Sequence, residues 1–294
     1  MKSLSFGRAL ITLYMVAFLL YLVLPLLIMG GASLNDSRFP SIYPWAGLTS
    51  RWFVDLFNDG RMWHAVLNTL VVAMAVVVLS VPVGAAGAIL INGIGARYRT
   101  VLYGLMVAPI LTPGAVIGIS TLLFWNKFNV PAGLHLSVLG QVSYIAAYSM
   151  LLVLARLQSF DRGLEEAALD LGASHGQVLR RILLPHLYPA LIAAAVIGFF
   201  QSVENFNVTL FTAGATGNSG QTLTVYVYGR VRSGITPTIN ALALILILTA
   251  LAGVLTYEIL RRSRVRVAQA EAEAAAKAEK EELARISAQT LATA

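Results

Sequence analysis

The 294-residue chain contains no cysteine and few charged residues. Without cysteine, a disulfide framework, a thiolate metal site and a cysteine nucleophile are all excluded. Charged residues make up 12% of the chain, hydrophobic residues make up 57%, and the mean hydropathy is +0.75. Soluble domains carry about 25% charged residues. This composition therefore predicts an integral membrane protein.

The chain also lacks the short motifs of common catalytic classes. None of its four lysines follows a glycine, which excludes the Gly-Lys pair of a Walker-type phosphate loop. The four histidines are scattered without an HExxH pair, and no GxSxG serine motif occurs. We therefore expect no catalytic residue, no metal site and no cofactor in this chain.

Long uncharged runs are the strongest positive feature. A bilayer core needs about 20 predominantly apolar residues in a helix, and six uncharged runs meet this length. They predict spans at about 9–29, 65–91, 100–124, 139–155, 187–211 and 238–260. A seventh uncharged run, 205–229, contains TAGATGNSGQT, whose glycines and hydroxyls indicate a loop. We expect an all-α membrane protein with six transmembrane helices in a domain over residues 1–260.

The loops predict the orientation. Placing the N-terminus in the cytoplasm puts 15 of the 21 lysines and arginines on that side, and the positive-inside rule then predicts that both termini are cytoplasmic. The first apolar run is too long for a typical signal-peptide core, so we expect it to remain as a span. Residues 261–294, a basic and Ala/Glu-rich cytoplasmic tail, are expected to be a solvated, frayed helix or a disordered segment.

The third predicted span contains two prolines. Pro109 and Pro113 remove backbone donors in mid-membrane, which is tolerated only where neighbouring helices or a cavity satisfy the freed carbonyls. We therefore predict a broken helix. Gly114 and Gly118 form a GxxxG spacing, which indicates close helix packing.

The one long polar interruption is EEAALDLGASHGQVLRRILLPHLYPAL, at 165–191. Asp161 is expected to cap a short helix that Gly172 ends. A second helical stretch should follow and close at Leu184 and Pro185, where the chain re-enters the membrane. A short helix of small residues suits a groove in another protein, whereas the spacing alone favours an ordinary amphipathic interfacial loop.

This interruption resembles the EAA motif of bacterial type I ABC importer permeases: Glu166 and two alanines, then Gly172 six residues after the glutamate, then Leu184-Pro185 before the next span. The stretches APILTPGAVIGISTLLF (108–124), VENFNVTLFTAG (203–214) and TPTINALALILIL (236–248) are similar to the spermidine/putrescine class of these permeases. The resemblance implies the type I permease fold, with a cytoplasmic coupling helix at about 161–171 inside a coupling segment, 156–186. The ATPase-coupling residues that it implies are Glu165, Glu166, Ala167, Ala168, Asp170, Gly172 and Ala173.

The same resemblance implies an assembly in the bacterial cytoplasmic (inner) membrane. Its members would be two ATPase subunits that carry ATP and Mg²⁺, a second permease subunit, homologous or identical, and a periplasmic or lipoprotein solute-binding protein. ATP hydrolysis is then expected on a separate subunit, and no nucleic acid is involved. The solute stays open between a polyamine or related small amine and aminoethylphosphonate, ferric iron, thiamine or sulfate. The competing class is an ion-coupled secondary transporter, which would favour more intramembrane ionisable residues and inverted repeats.

Glu204 is the clearest ionisable residue within the apolar spans. At 1.5 Å per residue it lies about 25 Å along the fifth predicted helix, beyond the midplane. Such a residue faces a cavity or a partner, so we predict that Gln201, Glu204, Asn205 and Asn207 line the translocation pathway. The alternative is a carboxylate at the outer interface, or one paired with Arg230 or Arg232. Polyamine permeases usually carry adjacent acidic residues here, and this chain has Glu204-Asn205, with one charge missing.

Overall fold

The structure, a computed structural model, describes residues 2–213, 220–234 and 236–292. Throughout these ranges the regular secondary structure is helical, and an isolated bridge between Asn35 and Leu48 is the one β feature among them. The helices are α1 (Lys2–Leu34), α2 (Arg51–Phe57), α3 (Gly60–Gly93), α4 (Ala96–Leu111), α5 (Gly114–Asn126), α6 (Leu134–Leu157), α7 (Arg162–Asp170), α8 (His175–Val178), a π-helical turn (Leu179–Leu183), α9 (Leu184–Val203), α10 (Asn207–Thr212), α11 (Leu223–Ser233) and α12 (Pro237–Ala292).

The apolar helices account for the predicted spans. In the part of the chain that the structure describes, five helical stretches are long and apolar enough to cross a membrane: α1, α3, α6, the run from α8 through α9, and the first half of α12. The pair α4 and α5, bent by 103°, counts as a sixth span if it crosses as one. The all-α prediction is confirmed, and the count of six holds when this bent pair is taken together.

The helices form two compact units, residues 1–53 with 237–294 and residues 54–236. In the first unit α1 packs along α12, and a Cβ at Gly30 would lie 3.6 Å from Leu244 Cδ1. Helix α12 continues from the sixth predicted span into the basic tail and reaches Ala292. Of the two alternatives for the tail, a helix or a disordered segment, the structure therefore shows a helix over residues 261–292.

The second unit is built around α3, α6 and α9. Helix α3 crosses α6 at Gly84, where a Cβ would overlap the carbonyl oxygen of Ala146 and lie 2.7 Å from the Met150 nitrogen. The absence of a side chain lets the two backbones touch, as at other small-residue helix crossings in membranes. Ile91, Met150 and Leu187 are fully buried in the apolar cluster nearby. This crossing positions the helices that carry the functional residues.

The third predicted span is broken, as expected from its prolines. The chain turns through 103° at Thr112 and Pro113, between α4 and α5. Thr112 donates its N–H to the Pro109 carbonyl at 3.2 Å and its hydroxyl to the Ala108 carbonyl at 3.0 Å. Pro113 directly precedes α5, where a missing N–H costs no intrahelical bond. One threonine thus supplies donors to carbonyls at the end of α4.

The fifth predicted span, 187–211, is divided in the structure, which the sequence did not predict. Residues 204–206 separate α9 from α10. Asn205 makes the break: its Oδ1 accepts hydrogen bonds from the N–H groups of Val208 and Thr209 at 3.2 and 3.4 Å. An asparagine side chain that bonds nearby backbone donors competes with a continuous helix and favours a helix start.

Helix α11 overlaps the end of the seventh uncharged run, 205–229, which the sequence excluded as a span. Of the quoted loop motif, residues 214–219 lie outside the described residues, and α11 begins just after the motif. Its backbone is anchored to α3 at its first residue, where the Leu223 N–H donates to Thr69 Oγ1 at 2.8 Å. The exclusion of this run as a span is confirmed: among its described residues the helices α10 and α11 are only six and eleven residues long.

A three-residue cluster, Asp59, Tyr226 and Arg230, fixes α11 to the N-terminal end of α3. Asp59 caps α3, and its Oδ2 accepts a hydrogen bond from the Tyr226 hydroxyl at 2.8 Å and pairs with the Arg230 guanidinium. Burial raises the pKa of Asp59, but the hydrogen bonds from Tyr226 and Arg230 lower it more, so the pKa of Asp59 lies below its usual value. The folded state therefore favours the ionised carboxylate.

Candidate functional site

The predicted coupling helix is α7. Asp161 caps it by accepting a hydrogen bond from the Gly163 N–H at 2.9 Å. Gly172 follows it with a φ of +84°, a left-handed conformation that side chains disfavour. Ser174 and Gln177 then form a capping box that starts α8. The helix begins and ends where the sequence predicts.

The second helical stretch, in contrast, does not close at Leu184 and Pro185. It passes through the π-helical turn directly into α9, and the Leu184 N–H bonds to the Leu179 carbonyl five residues back. Pro185 occupies the first turn of α9, where proline is tolerated. The predicted stop was wrong because a π-helical turn accommodates the proline without ending the helix.

The residues implied for ATPase coupling lie on one short surface feature. The structure places them in α7 and in the turn after it: Glu165, Glu166, Ala167, Ala168, Asp170, Gly172 and Ala173. Every residue of α7 is at least partly exposed. The apolar side chains beside this set are open too, since Leu164 is 55% and Leu171 90% exposed. A short helix with uncovered leucines has the character of an interaction surface.

Three polar contacts tie the coupling segment to the membrane helices. Arg156 Nε donates to the His186 carbonyl at 3.1 Å, and His186 Nε2 lies 3.3 Å from the Arg156 carbonyl oxygen. Arg162, in α7, donates to the Asn92 carbonyl near the end of α3 at 3.4 Å. The two stems of the segment are thus joined to each other, and α7 is joined to α3.

A cavity of about 410 Å³ lies where two helix breaks meet, the first between α4 and α5 and the second between α9 and α10. Its wall includes all four residues that the sequence predicted for the pathway: Gln201, Glu204, Asn205 and Asn207. The remaining lining residues come from α4, α5, α6 and the two breaks: Pro109, Ile110, Thr112, Gly114, Ile117, Tyr144, Tyr148 and Phe206. Irregular backbone at membrane depth is typical of segments that line such cavities.

The GxxxG pair closes this arrangement from one side. A Cβ at Gly118 would lie 3.0 Å from the Val208 carbonyl oxygen, and a Cβ at Gly114 would lie 3.2 Å from Asn207 Cβ. The two glycines therefore let α5 lie directly against α10. The packing role predicted for this spacing is confirmed, and it brings the second halves of both broken helices together.

Sequence reasoning missed the two tyrosines of the cavity. Ser137, Gln141, Tyr144 and Tyr148 follow one another at intervals of four, three and four residues, so they share one face of α6. A polar stripe of this period in an apolar span is visible in the sequence. It would have indicated that this face of the fourth span meets other polar groups.

The same stripe holds α6 against α9 and α10 through buried hydrogen bonds. Ser202 Oγ donates to Gln141 Oε1 at 2.6 Å, and Gln141 Nε2 donates to Thr209 Oγ1 at 3.1 Å. The Ser137 and Thr212 hydroxyls lie 2.7 Å apart. All five side chains are buried. Hydrogen bonds in a low-dielectric interior are strong, so they hold the cavity wall in one geometry.

The predicted pathway residues differ in how many hydrogen bonds they make to the rest of the chain. Asn205 is fully used, because its Nδ2 donates to the Tyr144 hydroxyl at 2.8 Å while its Oδ1 caps α10. Glu204 is exposed, and the alternative that paired it with Arg230 was wrong, since Arg230 pairs with Asp59. Within the described residues, Gln201 Oε1 is buried without a hydrogen-bond partner.

The electrostatic character of the cavity follows from one side chain. The breaks direct two helix C-termini and two helix N-termini toward it, and these partial charges offset each other. Among the described lining residues, Glu204 carries the one full charge. The rings of Tyr144 and Tyr148 present faces that attract cations. The cavity therefore suits a cation that carries hydrogen-bond donors.

Comparison with known proteins places these features in a wider group. A family model described as "Binding-protein-dependent transport system inner membrane component" matches residues 80–266. The chain is 30% identical over 258 residues to the spermidine/putrescine transport system permease protein PotC of Escherichia coli (strain K12), covering 88% of this chain and 96% of that protein. It is also 30% identical over 251 residues to the putrescine transport system permease protein PotI of the same strain, covering 83% and 88%.

Solved structures are similar at lower identity. A bacterial ABC transporter involved in the import of the acidic polysaccharide alginate matches with a TM-score of 0.69 at 20% identity, over 89% of this chain and 96% of that chain. The MetNI methionine ABC transporter, in inward-facing conformations, matches with a TM-score of 0.52 at 21% identity, over 71% and 95%. At these identities the likeness establishes a common fold.

Proposed function

This chain belongs to the family of inner membrane components of binding-protein-dependent transport systems and is a permease of an ABC importer, and from that membership we propose that it carries polyamines such as spermidine and putrescine, or a related small amine. The observation that carries the choice of solute is the cavity at the two helix breaks, with Glu204 as its charge. The names of PotC and PotI support the same solute class.

The charge of the cavity separates the candidate solutes. An ammonium group gains an ion pair with Glu204 and cation–π contact with the rings of Tyr144 and Tyr148. Sulfate meets the same carboxylate as a like charge and is disfavoured. The aminoethylphosphonate, thiamine and ferric iron alternatives become outcomes of the uptake test below. An ion-coupled secondary transporter does not fit membership in this family.

We further propose that α7 is the coupling helix. Its exposed Glu166 and the uncovered Leu164 and Leu171 would dock in a cleft of a separate ATPase subunit, which binds ATP and Mg²⁺. Because the coupling segment is tied to α3 and to the ends of α6 and α9, displacement of α7 would move these helices rather than a free loop. ATP-driven motion would thereby reach the cavity.

The assembly proposed around this chain has two ATPase subunits, a second permease subunit, homologous or identical, and a periplasmic or lipoprotein solute-binding protein. Both termini of the chain would face the cytoplasm. In this arrangement Glu204, at the end of α9, lies toward the external side, and α7 lies in the cytoplasm. Solute would enter from the side opposite to the ATPase subunits.

The test is uptake of labelled putrescine into liposomes that contain the co-purified complex, with ATP and the solute-binding protein supplied. We expect uptake that requires both. Glu204→Gln should weaken putrescine binding in the cavity about tenfold or more, since a charge-assisted contact of roughly 1.5–3 kcal/mol is lost, and uptake at a fixed concentration of loaded solute-binding protein should fall with it. Asp55→Asn removes an exposed carboxylate outside the described cavity lining and serves as the matched control, with uptake unchanged.

Competing solutes decide the alternatives in the same liposomes. ATP-dependent uptake of sulfate, thiamine, ferric iron or aminoethylphosphonate, with no uptake of putrescine or spermidine, would overturn the polyamine proposal and leave the importer intact. Unchanged uptake in Glu204→Gln would remove the cavity from the pathway.

A further inference from the structure

We infer that Gln201 is a specificity residue that selects amines bearing N–H groups, while Glu204 supplies the charge. The inference rests on the proposed function, because it takes the cavity as the place where an ammonium group of the solute binds. Gln201 lines this cavity, and its carbonyl oxygen is buried without a hydrogen-bond partner among the described residues. A buried acceptor left unpaired destabilises a fold, so its presence calls for an explanation.

Neighbouring amide side chains in the same cavity wall do have hydrogen-bond partners. Gln141 uses both ends of its amide, accepting from Ser202 and donating to Thr209. Asn205 also uses both ends, donating to Tyr144 and capping α10. The fold thus satisfies two amides on the same helix interface and leaves the carbonyl of the third without a partner. This oxygen can therefore accept a hydrogen bond from a solute that enters the cavity.

The geometry lets this oxygen act together with the carboxylate. Gln201 and Glu204 are three residues apart, the spacing that places side chains on the same face of a helix. The terminal torsion of glutamine is broad and roughly twofold, so rotation about it turns the carbonyl toward the cavity without moving α9. An ammonium group at Glu204 would then donate one N–H to the carboxylate and another to Gln201.

Methylation of the ammonium separates the two contributions. A trimethylammonium group keeps its charge and its attraction to the rings of Tyr144 and Tyr148, but it has no N–H to donate. Sites built to hydrogen-bond a donor reject analogues that lack it. The bis-trimethylammonium analogue of putrescine loses the N–H contacts with both Glu204 and Gln201, so we expect the native cavity to bind putrescine at least about 100-fold more tightly than this analogue, with about tenfold or more from each hydrogen bond to a charged group.

The absence of cysteine from the chain provides a direct binding assay. Ile117→Cys places a single thiol in the cavity wall, and protection of that thiol from a maleimide reagent measures amine binding in the co-purified complex. The measurement needs neither transport nor delivery by the solute-binding protein, whose own selectivity would otherwise mask that of the permease. The two probes are putrescine and its bis-trimethylammonium analogue, titrated separately.

Three variants in the Ile117→Cys background then test the inference. Gln201→Met keeps the length of the side chain and removes the acceptor, so the affinity ratio of the two amines should fall about tenfold or more, mainly by weaker putrescine binding, and the N–H contact with Glu204 should retain the rest of the ratio. Gln201→Glu retains an acceptor and should keep the ratio within about threefold of its native value. Gln158→Met, an exposed glutamine at the cytoplasmic end of α6, is the control and should leave the ratio unchanged.

The outcomes separate this inference from the proposed function. If both amines protect the thiol and Gln201→Met leaves their ratio as in the native cavity, Gln201 does not select the donor, whereas the cavity remains an amine site. Loss of the ratio in Gln201→Glu would overturn the inference in the same way. If neither amine protects the thiol when Gln201 is native, the cavity does not bind amines, and the proposed function falls together with the inference.

Discussion

Replacing Gly84 with alanine perturbs the crossing of α3 and α6. A Cβ at this position would overlap the Ala146 carbonyl oxygen and lie 2.6 Å from Ser149 Cβ and 2.7 Å from the Met150 nitrogen. Two of these three atoms belong to the backbone of α6, so no side-chain rotation relieves the overlap. The helices would have to separate by about 1 Å to restore ordinary contact distances.

The cost follows from this geometry. Overpacking a well-packed interior costs about 1–3 kcal/mol, and helices held apart also lose dispersion contacts along their interface. We therefore expect a loss near the upper end, about 3 kcal/mol. In domains of 150–250 residues, 1 kcal/mol shifts Tm by about 2–4 °C. Gly84→Ala should thus lower the apparent Tm by about 6–12 °C.

Two other helical glycines provide matched controls. A Cβ at Gly87 would meet the flexible thioether end of Met106, which can turn aside, so Gly87→Ala should cost less than about 1 kcal/mol. Gly104, in α4, has no atom within 4 Å of such a Cβ, and Gly104→Ala should be neutral or stabilising by up to about 1 kcal/mol through helix propensity. The assay is thermal melting of the detergent-solubilised protein, followed by fluorescence-detected gel filtration. Equal Tm losses in all three variants would refute the reasoning that backbone contact sets the cost.

Two further predictions concern charged residues. Asp59→Asn should cost about 1–3 kcal/mol in the same melting assay, because the partly buried Arg230 loses its charged partner; Asp36→Asn, at the exposed ion pair with Arg51, should cost less than about 1 kcal/mol. The folded pKa of Asp59 lies below its unfolded value of about 4, so its stabilisation is present above that pH and is lost as pH falls through the folded pKa. The Tm difference between native protein and Asp59→Asn should therefore stay constant from about pH 8 to pH 5 and shrink below about pH 4; a difference that vanished near neutral pH would contradict the assignment. Glu166→Lys reverses an exposed charge in the proposed docking contact and should abolish uptake with membrane insertion unchanged, whereas normal uptake would reject α7 as the coupling helix.

The two helix breaks show what a sequence can and cannot reveal. The break between α4 and α5 was predictable, because a proline removes a backbone donor in any context. The break between α9 and α10 depends on Asn205, whose side chain caps α10 while Tyr144 holds its other end. That second contact joins residues 61 positions apart. No local pattern reports it, so the fifth span was predicted as one helix.

Like the helix breaks, the candidate site could be predicted from the sequence only in part. An ionisable residue in an apolar span is conspicuous, which is why Glu204 and its polar neighbours were found. The polar stripe that contains Tyr144 and Tyr148 is visible in the sequence but was missed, and which groups it meets depends on how α6 packs. The sequence suggested Arg230 as a partner of Glu204 because the two residues lie on either side of one loop. In the structure Arg230 pairs with Asp59, which lies 171 residues away in the chain.

Helix α9 carries a stem of the coupling segment at one end and part of the cavity wall at the other, and α6 carries a stem at its C-terminal end and part of the cavity wall near its middle. Arg156 lies on α6 with Tyr148, and His186 lies on α9 with Gln201. Under the proposed coupling role, α6 and α9 determine how many solute molecules are imported for each ATP hydrolysed. A variant with weakened contacts between Arg156 and His186 would keep its affinity for solute but hydrolyse more ATP for each molecule imported.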